Sequence, residues 1–421
     1  MFQKRIYLDY ASLTPIDPRV LRTMRRYSTS KYANPSSLYA EGVNAKKIIA
    51  ASRSTVASFI HAHADEIVFT SGGTEANALA LDGVVRAARA KGIARPHIII
   101  SAIEHSSIIE TAGMLEGYGC DVTRLVVDSS GLVSLTELKA AINARTVLVS
   151  IMMVNNEIGT KQPIRDIAKL VRDSRTNMSY PLFHTDAAQA TLEEALYVDK
   201  LGVDLLTLDA SKMYGPRSIG CLYVRRGTPI TPLIYGGGQE SGMRSGTENL
   251  PAIAGFACAV ELIEEEYKKE AFKKIDALRM YFVRELAMLR PNIRINSSLT
   301  QSVSHIVNVS IPGIDNEFFL FQLDARGIAC STKSSCLRDA DESYVLRSIG
   351  ADSATSLRFS FGRWTTQRDV KRALRAISTL LSTKQKTHLL RCKNGENKKV
   401  RHGESSDDED LHDARIAGTH L

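Results

Sequence analysis

Short apolar runs alternate along the chain with longer stretches in which apolar residues recur every three to four positions. The runs at Glu66–Thr70, Ile98–Ile100, Val122–Val127, Val147–Ile151, Leu182–Asp186, Leu205–Leu208 and Cys221–Val224 read as strands. Between them the helical spacing recurs. Ile48, Ala51, Val56 and Phe59 mark a helix over residues 40–60, and Ala76, Leu79, Ala80, Gly83 and Val84 mark one that begins at Glu75. Further helices are predicted over 135–144 and 164–172. Largely apolar strands that alternate with helices imply a parallel sheet buried on both faces. Ahead of this region, residues 6–15 read as a short strand and turn, residues 19–27 as a helix and Asn34-Pro35 as a break. Beyond it, a long helix starts near Ala252 and runs on to about Leu289. Short strands at residues 304–309 and 357–360 then give an α+β pattern.

Composition narrows the class. The 421 residues, 44% hydrophobic and 24% charged, suffice for two or three domains, or for a large and a small lobe. The expected division is 15–260 for a large domain and 1–14 with 261–385 for a small one. Residues 386–421 are charged and poor in apolar side chains, which predicts a disordered tail. The net charge of +8 is spread along the chain without a nucleic-acid-binding motif, so no direct nucleic-acid contact is expected. Six cysteines in a chain this long make no disulfide framework, and Cys330 and Cys336 lack the spacing of a redox or zinc pair. No apolar signal region precedes the first strand and no run is long enough to span a membrane, which points to a reducing cytoplasm.

Candidate chemistry gathers at the strand ends. Lys212 follows the strand-like Leu205–Leu208 and precedes a Gly-Pro stop, an unusual place for a lysine because burial disfavours its charged form. A neutral amine there suits nucleophilic, imine-forming chemistry. His105, Asn156, Asp186, Gln189 and Lys212 each fall at or just past the C-terminal end of a predicted strand, the edge where open α/β sheets bind ligands. Ser71-Gly72-Gly73-Thr74, between strand and helix, reads either as an anion-binding turn or as an ordinary capped helix start. Taken singly, His105 could be a surface histidine, Asp186 a helix cap and Asn156 a turn residue. Their convergence on one sheet edge beside an anion-type turn favours a site. A lysine for an imine, an aspartate to keep a pyridine nitrogen protonated, a histidine to stack on the ring and a turn for a phosphate are what pyridoxal phosphate requires.

The motifs Ala102-Ile103-Glu104-His105, Val154-Asn155-Asn156-Glu157-Ile158-Gly159, Asp186-Ala187-Ala188-Gln189, Lys212-Met213-Tyr214-Gly215-Pro216, Gly242-Met243-Arg244-Ser245-Gly246-Thr247 and Arg358-Phe359-Ser360 resemble the cysteine desulfurases, over about residues 6–380. These are class V, fold type I pyridoxal phosphate enzymes. The resemblance implies a mostly parallel seven-stranded sheet flanked by helices, with a smaller α+β lobe. It also implies a homodimer that takes L-cysteine and leaves L-alanine and a persulfide on Cys336. That sulfur would pass to an acceptor protein, a scaffold for iron–sulfur cluster assembly or a tRNA-thiolation relay. By the same resemblance Lys212 holds the cofactor and moves protons, Asp186 pairs with the ring nitrogen and His105 stacks on the ring. Asn156 and Gln189 face its hydroxyl, while Gly73, Thr74 and Ser211 bind phosphate with Thr247 of the other subunit. Arg358, with Asn34 nearby, holds the substrate carboxylate.

The chain departs from the family pattern at several places. Asp209 stands where a phosphate-binding serine is usual, and is expected to point away or pair with a base. Ser211 replaces the usual histidine, and its hydroxyl can still donate to phosphate. The loop around Cys336 lacks the usual glycine before the cysteine, and the tail does not resemble the family's scaffold-docking end. The alternatives are a selenocysteine lyase, another class V aminotransferase-like enzyme, or a catalytically silent scaffold. Cys336 speaks against an aminotransferase, which needs no loop thiol, and intact Lys212, Asp186 and His105 speak against a silent scaffold. Cys330, at a predicted strand end, is expected to be packing.

Overall fold

A computed structural model describes residues 5–175, 180–268, 271–332 and 342–396. In chain order its strands are β1 (Ile6–Tyr7), β2 (Ile67–Thr70), β3 (His97–Ser101), β4 (Asp121–Leu125), β5 (Thr146–Ser150), β6 (Leu182–Asp186), β7 (Leu205–Asp209), β8 (Gly220–Val224), β9 (Arg294–Ile295), β10 (Ile306–Ser310), β11 (Ile328–Ala329) and β12 (Ser356–Ser360). Seven of them form one sheet in the order β2-β8-β7-β6-β5-β3-β4. All neighbours in it are parallel except β8, which runs antiparallel to both β2 and β7.

The near-continuous apolar runs are explained by burial on both faces. Every residue of β2, β3, β5 and β6 is buried. Successive side chains alternate between two cores, as the pleat demands. Ile99, Val149, Phe183 and Leu206 enter one core with residues of the helices Ala40–Phe59, Ile164–Asp173 and Leu250–Lys268. Ile98, Ile100, Leu148, Leu182 and Leu205 enter the other with residues of Gly73–Ala90 and Ser106–Gly117. The expected mostly parallel sheet flanked by helices is thus observed.

The later strands stand apart from this sheet. β12, β10 and β9 form a three-stranded antiparallel sheet, with Asn308 opposite Arg358, and β1 pairs in parallel with β11. Among the described residues, those up to 376 make one compact unit and those from 377 a second.

The helix expected from about 252 to 289 is described over Leu250–Lys268 and Ala271–Leu289, on either side of two residues outside the described ones. Two expectations shift. The helix expected from Glu75 begins at Gly73. The helix Gln367–Glu396 runs into the stretch expected to be a disordered tail, where Lys, Leu and Arg favour helix; the remainder of that tail lies outside the described residues. No helix among the described residues is long and apolar enough to cross a membrane.

Candidate active site

The C-terminal ends of β5, β6 and β7 open onto a cavity lined by Gly73, Thr74, His105, Asn156, Asp186, Gln189, Lys212 and Arg358, together with Ala11, Ser12, Asn77 and Asp209. Eight of the sequence-predicted residues therefore meet in one place. Lys212 arrives on the short 3-10 turn Ala210–Lys212 directly after β7. Its Nζ donates to the carbonyl of Ser12. The turn is locked from both sides. Thr14 donates through N (3.0 Å) and Oγ1 (2.8 Å) to the Ser211 carbonyl, and Tyr214 N donates back to Thr14 Oγ1 (2.7 Å).

Asp186 ends β6 almost buried, 7% exposed. Its Oδ1 accepts from Ala188 N (2.9 Å) and its Oδ2 from Asn77 Nδ2 (2.7 Å). The same Asn77 nitrogen donates to Ser107 Oγ (2.9 Å), and Ser107 Oγ lies 2.9 Å from His105 Nδ1. Ser107 N also donates to that nitrogen, at 3.2 Å. His105 Nδ1 is thus an acceptor twice over, which places the neutral ring's proton on Nε2. One chain of donors connects Asp186, Asn77, Ser107 and His105.

Arg358, on β12, is buried with 2% of its side chain exposed. Its Nη1 donates to the Asn156 carbonyl (2.7 Å), and its Nη2 donates to Asp9 Oδ1 (2.9 Å) and Ser12 Oγ (2.6 Å). Asn156 is presented by its neighbour. Asn155 Oδ1 accepts from Glu157 N (2.8 Å) and Ile158 N (3.0 Å), while its Nδ2 holds the Ile103 carbonyl (2.9 Å). Gln189 Nε2 donates to the Ala11 carbonyl (2.8 Å). Glu104, fully buried beside His105, has its carboxyl pushed up to about 8 by burial, against hydrogen bonds from Ser101 Oγ and Met152 N.

At the other end of the cavity the turn before Gly73–Ala90 requires glycine twice. Gly72 has φ of +148°, and Gly220 of β8 packs so close that a Cβ there would lie 2.6 Å from the Leu208 carbonyl oxygen and 2.9 Å from Gly72 C. Asp209 does not point away as expected. Its Oδ2 accepts from Gly73 N (3.0 Å) and its Oδ1 from Ser211 N (2.8 Å), because two unsatisfied backbone donors within reach hold the carboxylate inward.

The other predicted residues lie elsewhere. Ser211 does not line the cavity. Thr247 lines a neighbouring one with Ser71, Ser218 and Arg244. Asn34 is exposed, its Oδ1 accepting from Ser36 N. Cys336 lies outside the described residues. Asn77, Ser107 and Ser12 were missed by the sequence reading. The spacing of Asn77, one helical turn after Gly73, was the signal that could have found it.

Residues 6–373 match the family described as Aminotransferase class-V. The chain is 38% identical over 384 residues to the cysteine desulfurase IscS of Dictyoglomus turgidum, a match covering 90% of this chain and 95% of that protein. It is 40% identical over 382 residues to the cysteine desulfurase IscS of Methanosarcina thermophila, covering 90% of this chain and 92% of that one. Among solved structures it is similar to one described as a NifS-like protein, with a TM-score of 0.83 and 35% identity over 90% of this chain and all of that chain.

Proposed function

We propose, for a chain that belongs to the class V aminotransferase family and within it to the cysteine desulfurases, that the cavity removes sulfur from L-cysteine with pyridoxal phosphate and delivers it to Cys336. The observation that carries this reading is the meeting of Lys212, Asp186, His105 and Arg358 in one cavity at the strand ends. The donor set suits the cofactor's ring end: an amine, a carboxylate oriented by Asn77 and Ala188, and an imidazole of fixed tautomer. When bound, the cofactor supplies an electron sink for bonds at the substrate's α and β carbons.

The residues then have distinct tasks. Lys212 Nζ would hold the cofactor's aldehyde carbon and take or return the proton at the substrate's α carbon. Asp186 would hold the ring nitrogen's proton, since its carboxylate, oriented by two donors, keeps lone pairs for a charge-assisted bond. His105 would stack on the ring and offer its Nε2 proton. Asn156 and Gln189 would take the ring hydroxyl, and Gly73 and Thr74 the phosphate. Arg358 would hold the substrate carboxylate.

Cys336 as thiolate attacks the substrate sulfur. An S–S bond forms as the Cβ–S bond breaks, the electron pair stays on carbon, and a proton delivered to Cβ leaves alanine. The persulfide then passes to an acceptor protein. Two copies complete each other's sites, Thr247 of one subunit reaching the phosphate end of the other.

The test is a single turnover with L-cysteine followed by alkylation and peptide mapping. One alanine should appear per sulfur found on Cys336. Lys212→Ala should yield neither, and should lose the borohydride-reducible link to the cofactor. Burial raises the Cys330 thiol far above the ordinary range, which leaves it a poor nucleophile. Sulfur mapped to Cys330, or full persulfide in Cys336→Ser, overturns the assignment.

A further inference from the structure

The carboxylate of Asp209 occupies the place where an anion at the start of Gly73–Ala90 would be received. The first backbone donor of that helix, Gly73 N, is already taken by Asp209 Oδ2 at 3.0 Å. The other oxygen is held by Ser211 N at 2.8 Å, so the side chain is fixed at both ends of its carboxylate. There is no slack between turn and carboxylate: a Cβ built on Gly73 would lie 3.2 Å from Oδ2 and 3.4 Å from Asp209 Cβ. Asp209 lines the same cavity as Thr74 and Lys212, so it faces the site rather than backing it.

The charges around it leave no positive surplus. The cavity lining carries Asp186 and Asp209 against Lys212 and Arg358, two of each sign. Arg358 is committed to Asp9, and nearby Arg244 to Glu75, its Nε donating to Glu75 Oε1 at 2.9 Å. A phosphate arriving at this turn meets a fixed negative charge, and must take the Gly73 N–H from it.

We propose that Asp209 is a specificity-determining residue that weakens the hold on the cofactor's phosphate, so that this protein prefers pyridoxal phosphate over unphosphorylated pyridoxal far less than its own Asp209→Ser variant does. The proposal rests on the cofactor reading given above. Like charges about 4 Å apart interact by several kcal/mol even at a surface-like dielectric, so removing one is expected to change phosphate affinity by at least about tenfold.

The experiment uses the full chain, stripped of cofactor, and measures equilibrium dissociation constants for pyridoxal phosphate, pyridoxal and inorganic phosphate. Asp209→Ser is expected to tighten pyridoxal phosphate and inorganic phosphate by about tenfold or more while pyridoxal stays unchanged. Asp209→Asn keeps the shape and an acceptor for Gly73 N, and is expected to shift the pyridoxal phosphate to pyridoxal ratio in the same direction. A ratio unchanged or lowered in both variants overturns the proposal. Borohydride trapping of the unsubstituted protein separates this failure from that of the underlying reading. If pyridoxal phosphate forms no adduct at Lys212, the cofactor reading falls and this proposal with it. If the adduct forms and the ratio is unmoved, only the role of Asp209 is lost.

Discussion

Glu104 is a residue whose ionisation the fold opposes up to the neutral side of the pH scale. Burial holds its carboxyl up at about 8, above an ordinary 4.5, so the folded state keeps a proton that the unfolded chain releases. Stability from this group is full below 4.5 and is lost as pH rises towards about 8. His184 acts in the opposite sense. Burial between Ser150 and Thr207 pushes it down to about 3 from 6.5, so its contribution is lost as pH falls from 6.5 towards about 3. Of these two groups Glu104 alone is left to set the slope between pH 6.5 and 8. We expect the urea-unfolding free energy to fall across that interval, by at most about 1.4 kcal/mol per pH unit, and to lose that slope in Glu104→Gln. An equal slope in the variant would refute this. Single residues were legible in the sequence where they stood at a strand end beside a turn, as Lys212, Asp186 and His105 do. Asn77 and Ser107 were not, because their meaning lies in hydrogen bonds to residues 109 and 30 positions away from Asn77.

At the level of elements, the parallel strands were legible because burial on both faces writes itself as an unbroken apolar run. Which way β8 runs, and how Asp209 turns at the end of β7, were not. Those depend on contacts between β8, β7 and the glycine turn that no local pattern encodes. The closeness of that packing gives a measurable consequence. A methyl group at residue 220 would press on the Leu208 carbonyl and on Gly72 together, both of them backbone. Gly220→Ala is therefore expected to cost about 1–3 kcal/mol in denaturant unfolding. It should also weaken cofactor binding, because the displaced turn carries Gly73. Wild-type stability in this variant would mean that the turn yields freely.

For the molecule as a whole, the proposed sharing of sites between two copies can be read from mixed dimers of Lys212→Ala and Thr247→Ala subunits. Sharing puts both defects into one site and leaves the other unmutated, so half the sites of a mixed dimer should bind cofactor with ordinary affinity. A mixed dimer without any such site would count against it. The segment that carries Thr247 is fastened to its own chain. Glu240, 8% exposed, takes two bonds of 2.6 Å from Arg53 and one of 2.8 Å from Phe69 N. Gln239 Oε1 closes the loop by accepting from Gly246 N (2.9 Å), and Arg244 is tied to Glu75. Ordering a free loop costs about 1–2 kcal/mol per residue. Here that entropy is spent when each chain folds rather than when two chains meet. In the proposed dimer this segment would need no folding step on pairing, so the rate of association would be governed by diffusion and orientation.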